Sequence, residues 1–244
     1  DDQAAITDML HWINGKDMDD VDEDSVTLDE NRPDVFGDPL HSKPVVINYG
    51  NNDIYIVVGT NHGILHMFKD DDASNSIDEE WAFMPKNFIS NIRPLRDNFT
   101  SGDKIYGVDG LITAHIVDND GDGVVNGADK VWLFFGFRRG GNYYYAMDVT
   151  NPVVPKVMWT IEGGTGDFSE LGQTWSQPKV ILSKLNTASG KGKPTLLFGG
   201  GYDTIKDAKS VGGKSGADNQ GKAIYMVDAQ SGALVWSLAP TGDT

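Results

Sequence analysis

The sequence predicts an all-β protein, a β-propeller arc of about three four-stranded blades, and three observations carry that expectation. Trp81, Trp159 and Trp236 lie 78 and 77 residues apart, and Asp70, Asp148 and Asp228 lie 78 and 80 apart, so three segments repeat the same landmarks. A fixed period of this kind marks a repeat architecture. Each unit holds four short runs of β-branched and aromatic residues bounded by Gly, Pro, Asn or Asp, which is the pattern of an antiparallel meander. A glycine closes the second run of every unit, at Gly59, Gly136 and Gly199, where a side chain would obstruct the next blade.

Residues 1–42 read as a leading helix and an acidic loop. Ala5, Ile6, Met9 and Leu10 have helical spacing within Ala4 to Trp12, and Asn14-Gly15 supplies the stop. The run from Asp17 to Asp24 places Asp20, Asp22 and Asp24 at alternate positions. Ser25 stands where a cation loop would have its turn glycine and Asn31 stands at position twelve, so the run reads as a solvated charged loop.

Residues 43–244 read as the partial propeller, with blades at about 43–83, 111–161 and 177–238. The first follows Lys43 to Ile47, Ile54 to Gly59, Gly63 to Asp70 and Glu80 to Phe83. The second follows Leu111 to Asp118, Val131 to Gly136, Tyr143 to Asp148 and Lys156 to Trp159. The third follows Gln177 to Ile181, Thr195 to Gly199, Lys222 to Asp228 and Ala233 to Trp236. The three repeat tryptophans are expected to pack between blades. A second helix is expected after Asn87, with Phe88, Ile89, Ile92 and Leu95 on one face. Tyr202 to Gln220, with Lys206, Lys209 and Lys214, reads as an exposed insertion. Closed propellers have four to eight blades, so further blades of the same propeller are expected as partners of this arc.

Composition narrows the function. Lys and Arg number 20 against 36 Asp and Glu, a net charge of −16, which argues against nucleic acid as a partner. The absence of cysteine excludes thiolate metal sites and a Cys nucleophile. The apolar run Val131 to Phe137 is far too short to span a bilayer, and Asp1-Asp2-Gln3 does not begin a signal peptide, so a mature or excised piece without a membrane span is expected. His11, His41, His62, His66 and His115 have no triad or metal-ligand spacing, and Gly199-Gly200-Gly201 and Gly212-Gly213 do not lead into a phosphate-binding helix. No catalytic residues are expected.

The strongest chemical signal is Asp118-Asn119-Asp120-Gly121-Asp122-Gly123-Val124-Val125-Asn126-Gly127-Ala128-Asp129, an EF-hand-like loop closed by Asp. Hard cations take oxygen ligands, and carboxylates at positions one, three and five wrap one point. The expected ligands are Asp118, Asp120, Asp122, the Val124 carbonyl, Asn126 directly or through water, and Asp129. The expected ion is Ca2+ rather than Mg2+, which dehydrates reluctantly. The flanking runs read as strands, which places the loop in a β-hairpin.

These landmarks together resemble the C-terminal propeller domain of the PilY/PilC family of type IV pilus biogenesis factors and tip-associated adhesins. The resemblance rests on Gly37-Asp38-Pro39-Leu40-His41-Ser42-Lys43-Pro44, Val58 to His66, Trp81-Ala82-Phe83-Met84-Pro85-Lys86 and Tyr106-Gly107-Val108-Asp109-Gly110, in that order before the acidic loop. It implies a quinoprotein-like propeller on a secreted or cell-surface protein of a Gram-negative bacterium, exported through the periplasm and working with pilin or minor pilins and with host or abiotic surfaces. It also implies that calcium in the loop governs pilus extension against retraction. The family loop often closes with an acidic residue at position nine, where this chain has Asn126. Two other readings are a fragment of a pyrroloquinoline quinone-type dehydrogenase, whose calcium ligands are dispersed around a full ring, and a scaffold propeller, which would carry no calcium loop.

Overall fold

The computed structural model describes residues 2–50, 52–71, 73–98, 104–207 and 218–239. A helix, α1 (Asp2–Ile13), leads into an irregular segment and then a first antiparallel sheet of β1 (Val45–Asn48), β2 (Ile54–Gly59), β3 (Leu65–Asp71) and β4 (Ser76–Phe83). A 3-10 turn over Lys86–Asn91 continues into α2 (Ile92–Asp97). The second sheet is β5 (Ile112–Val117), β6 (Lys130–Gly136), β7 (Tyr143–Asp148) and β8 (Lys156–Glu162), and the third is β9 (Lys179–Ala188), β10 (Lys191–Gly199), β11 (Ile224–Asp228) and β12 (Leu234–Leu238). Each sheet is a sequential meander, so the chain is an all-β protein of three four-stranded units.

The second sheet lies between the other two, and β6 shows why its sequence is continuously apolar. Val131, Leu133 and Phe135 enter one core with Ile47, Tyr55, Val57 and Met67 of the first sheet. Trp132 and Phe134, on the alternate face, enter another core with Leu196, Phe198, Tyr225 and Val227 of the third. A strand buried on both faces has no polar side to show.

The repeat is legible at atomic detail. In all three sheets the pairing of the third and fourth strands slips by one residue beside the tryptophan, after Met67↔Trp81, Ala146↔Trp159 and Met226↔Trp236. A bulge there twists the outer strand and re-aims the indole. Trp81 Nε1 donates to the Pro152 carbonyl of the second sheet at 2.7 Å, and Trp159 Nε1 donates to the Ala229 carbonyl of the third at 3.0 Å. Trp236 differs: it is 39% exposed, because among the described residues no sheet follows it. The strand-end glycines divide the same way. A Cβ on Gly59 would lie 2.4 Å from the Val108 carbonyl, whereas one on Gly199 would meet nothing closer than Ser176 at 3.9 Å.

Two local expectations need correction. Ile89 is 60% exposed rather than on the buried face with Phe88 and Ile92, because the helix begins as a 3-10 turn whose tighter winding separates it from the α-helical register. The β9–β10 hairpin extends to Lys191↔Ala188 past a bulge at Gly192/Lys193. Asn186 and Lys193 tie it down to the Asp228 carboxylate, holding Leu182 and Leu185 in exposed strand positions that no apolar alternation announces. Lys209, Lys214 and Gly212-Gly213 of the expected insertion lie outside the described residues.

The meanders have two ends. The β1–β2, β5–β6 and β7–β8 turns share one, called here the hairpin end. The β2–β3 and β6–β7 loops and the sheet-to-sheet connections share the other, the crossover end.

Candidate metal centre

Residues 118–129 form the β5–β6 loop at the hairpin end. The Asp118 carboxylate accepts the Gly121 and Gly123 backbone N–H groups at 2.6 and 3.0 Å, and Asp122 accepts that of Val124 at 2.8 Å. Gly123 has φ +76, a left-handed turn that a side chain resists. Asp129 is buried and accepts the backbone N–H groups of Asn119 and Asn126 at 2.8 and 3.1 Å. Those two bonds hold its carboxyl below the ordinary aspartate value. Val124 packs against Gly50 of the β1–β2 turn and Val125 against the first core.

One carboxylate oxygen from each of Asp118, Asp120, Asp122 and Asp129 lies within 4.8 Å of the others. Asn126 Nδ2 donates to Asp122 Oδ2 at 2.9 Å and to the Val124 carbonyl at 3.3 Å, so both of those oxygens face the Asn126 amide. All six residues singled out in the sequence are therefore gathered around one loop interior. None of the four carboxylates forms a salt bridge among the described residues. At Asp120 the Asp122 N–H bond lowers the pKa, but burial and the charges of Asp122, Asp129 and Asp118 outweigh it and the pKa is raised. An all-oxygen, uncompensated donor set of this kind fits a hard divalent cation, and it offers no nitrogen or sulfur for a softer one.

The earlier acidic run folds in a related way. Ser25 N–H donates to Asp20 Oδ1 at 2.9 Å and Val26 N–H to Asp24 Oδ1 at 2.8 Å, as Gly123 and Val124 do to Asp118 and Asp122. Glu23 and Ser25 take φ of 63° and 71° where the later loop has Gly121 and Gly123 at 78° and 76°. Oxygens of Asp20, Asp22 and Asp24 lie within 4.8 Å of one another, as do those of Asp17, Asp22 and Glu30. The position-twelve residue, Asn31, is exposed and carries no charge.

The histidines occupy packing positions. His66 is buried, with Nδ1 2.6 Å from Glu79, and burial lowers the pKa of His62, His66 and His115. His41 belongs to a cluster at the crossover end that sequence reading missed: Asp109, Arg138, Arg139 and Trp175 from three separate connections. The available signal was divergence at one aligned position, for after Gly59, Gly136 and Gly199 the second residue is Asn61, Arg138 or Gly201.

Three tryptophan-keyed meanders in succession, with an acidic loop in the second, define a β-propeller domain. The chain belongs to the PilY1 β-propeller family, whose model, the PilY1 beta-propeller domain, matches residues 48–244. The type IV pilus biogenesis factor PilY1 of Pseudomonas aeruginosa strain PAO1 is 28% identical over 190 residues, covering 78% of this chain and 14% of that protein. A PilY1 homolog of Xylella fastidiosa is 25% identical over 208 residues, covering 72% of this chain and 15% of the homolog. The crystal structure of the P. aeruginosa PilY1 C-terminal domain matches at a TM-score of 0.49 and 25% identity, over 80% of this chain and 31% of that one. The chain thus spans about a seventh of the length of the full-length relatives. Among the described residues no helix is long and apolar enough to cross a membrane.

Proposed function

We propose that this chain is a calcium-binding, non-enzymatic module of a type IV pilus assembly and tip-adhesin protein, in which occupancy of the 118–129 loop controls pilus extension against retraction and surface attachment. The observation that carries the reading is the convergence of four unpaired carboxylates within 4.8 Å in a chain of the PilY1 propeller family. Calcium, when bound, would supply the two positive charges those carboxylates lack. Asp118, Asp120, Asp122 and the Val124 carbonyl would hold it, with Asp129 closing the site. Asn126 would turn its amide so that Oδ1 replaces Nδ2 toward the loop interior. Because Val124 rests on Gly50, ordering of the loop would be felt at the junction of the first two sheets.

The same reading places the protein at the cell surface or pilus tip of a Gram-negative bacterium, with pilin or minor pilins and a host or abiotic surface as partners. Further blades would cover the exposed Trp236. The test is calcium titration by calorimetry on the wild type and on Asp120→Ala, with magnesium as the control, followed by pilus extension and retraction in cells carrying the same substitution in the whole protein. One saturable calcium site lost in the variant supports the reading. No heat and no calcium-dependent rise in melting temperature would reduce the loop to an acidic turn.

A further inference from the structure

We propose that the crossover end of the second and third sheets carries a carboxylate-binding site, formed by the guanidinium groups of Arg138 and Arg139 beside Trp175. Arg138 lies over the Trp175 ring at 4.0 Å from its centroid, and Arg139 lies at 5.8 Å from the same ring and 5.5 Å from that of Tyr202. The indole is 38% exposed, unlike the core tryptophan Trp132, and Trp, Tyr and Arg together are the residue types that concentrate binding energy on protein surfaces.

Each guanidinium is positioned from behind. Arg138 Nη1 is 3.3 Å from Oδ2 of Asp109, whose side chain is wholly buried, and Arg139 Nη1 is 2.5 Å from Asp207 Oδ2. His41 Nδ1 is 2.8 Å from both Asp109 Oδ2 and Arg138 Nη1, and one ring nitrogen cannot donate to the first while accepting from the second. The buried carboxylate needs the donor more, so Nδ1–H belongs to Asp109, and His41 and Asn61 complete the shell that fixes it. Neither arginine uses Nε or Nη2 in a hydrogen bond among the described residues, and the two side chains are 22% and 33% exposed.

The backbone adds an independent observation. Arg138 has φ +51, whereas the aligned position of the third sheet is Gly201 at φ +85. A left-handed arginine where glycine would suffice is local strain kept for the sake of the side chain, a pattern found at binding sites. Asp109 and Asp207 offset the two cations and the chain as a whole carries −16, so net charge disfavours a dianion more than a monoanion and recognition rests on directed guanidinium hydrogen bonds rather than on field. A planar monoanion matches a guanidinium fork, and the indole offers an apolar wall to the group that bears it. The carboxylate could come from a small organic acid or from a polypeptide.

Both sources can be tested by following the Trp175 indole N–H resonance, assigned with Trp175→Phe, in the 244-residue chain. Benzoate is compared with benzamide, and N-acetyl-Ala-Ala-Phe acid with its C-terminal amide. Saturable shifts with the acids, at least tenfold weaker for the amides, and a tenfold or greater loss of acid affinity in Arg138→Gln are expected. Arg139→Gln, which leaves the buried Asp109 shell intact, should weaken the acids likewise if Arg138→Gln alters folding. Tighter binding of benzoate assigns a small-molecule source, and tighter binding of the peptide acid a polypeptide one. Equal responses to acid and amide, acid binding indifferent to both arginine variants, or no saturable shift with either acid would overturn the proposal.

Discussion

The loops at 20–31 and 118–129 share their capped turns and differ in their closing residue and in the charges that flank them. Both use their first carboxylate to accept the N–H five residues on, and both are left-handed at their fourth and sixth positions, while Asp20 and Gly127 are each left-handed in one loop alone. Beside the earlier loop, arginines answer flanking carboxylates, while Asp20, Asp22 and Asp24 themselves form no salt bridge among the described residues, and burial with the charges of Asp24 and Asp22 raises the Glu30 pKa. Arg32 is buried over the Trp12 ring, with Asp17, Asp19 and Asp34 near its charge, and Arg96 pairs with Asp19 at 2.7 Å. Among the described residues no arginine or lysine pairs with or flanks the later loop's carboxylates in this way, and its closing position is the buried Asp129 rather than the exposed Asn31. The difference teaches that alternating carboxylates set the shape of such a loop, while a charged or neutral closing residue and the cations flanking the loop set its demand for an ion.

The largest expected effect separates the two loops directly. Calorimetry should find one calcium ion per chain, with Asp120→Ala reducing affinity at least a hundredfold and Asp22→Ala leaving the stoichiometry and affinity of the wild type. At about a hundredfold excess over the dissociation constant, calcium should add about 2.7 kcal/mol to stability. Two ions per chain, with one lost in Asp22→Ala, would erase the distinction drawn here. Acid should weaken binding, because the raised Asp120 pKa lets protons compete with the cation at a higher pH than an ordinary aspartate allows.

Next in size is the closing residue. Without metal, Asp129→Ala strands the Asn119 and Asn126 N–H groups and should lower the melting temperature by about 5 °C, against about 1 °C for Asn31→Ala. The Asp129 pKa is lowered in the folded protein, so its contribution is complete above the unfolded value of about 3.9 and disappears as pH falls through the folded one. An Asp129→Ala deficit that persisted unchanged at acid pH would mean that packing, not the carboxylate, is what the residue supplies.

The contrast also shows what a sequence discloses. The gathering of the 118–129 carboxylates was legible because the alternating aspartates and the turn glycine all fall within twelve consecutive residues. The three sheets were legible because Trp81, Trp159 and Trp236 each anchor a fourth strand at a common bulge. The β9–β10 extension was hidden, since its stability comes from Asn186 and Lys193 reaching Asp228 and not from a hydrophobic pattern. Likewise, the meeting of Asp109, Arg138 and Trp175 depends on three connections that only the folded arc brings together. The turn of the earlier acidic run was hidden too, because Ser25 adopts the conformation that Gly123 announces.

That last point gives the smallest and sharpest test. Gly123 has no neighbouring atom within 4 Å of a Cβ position, so Gly123→Ala should cost only the strain of its positive φ, about 1 kcal/mol by urea unfolding in the absence of calcium. Ser25→Gly relieves strain of the same origin at φ 71°, but it also frees the unfolded chain, and the two contributions should cancel to within about 0.5 kcal/mol. Equal and opposite changes in the two variants would show that the earlier loop tolerates its left-handed serine at full cost. A Ser25→Gly loss larger than about 1 kcal/mol would instead show that the side chain holds the turn, and the two loops would then be alike in their capped turns but not in what keeps them there.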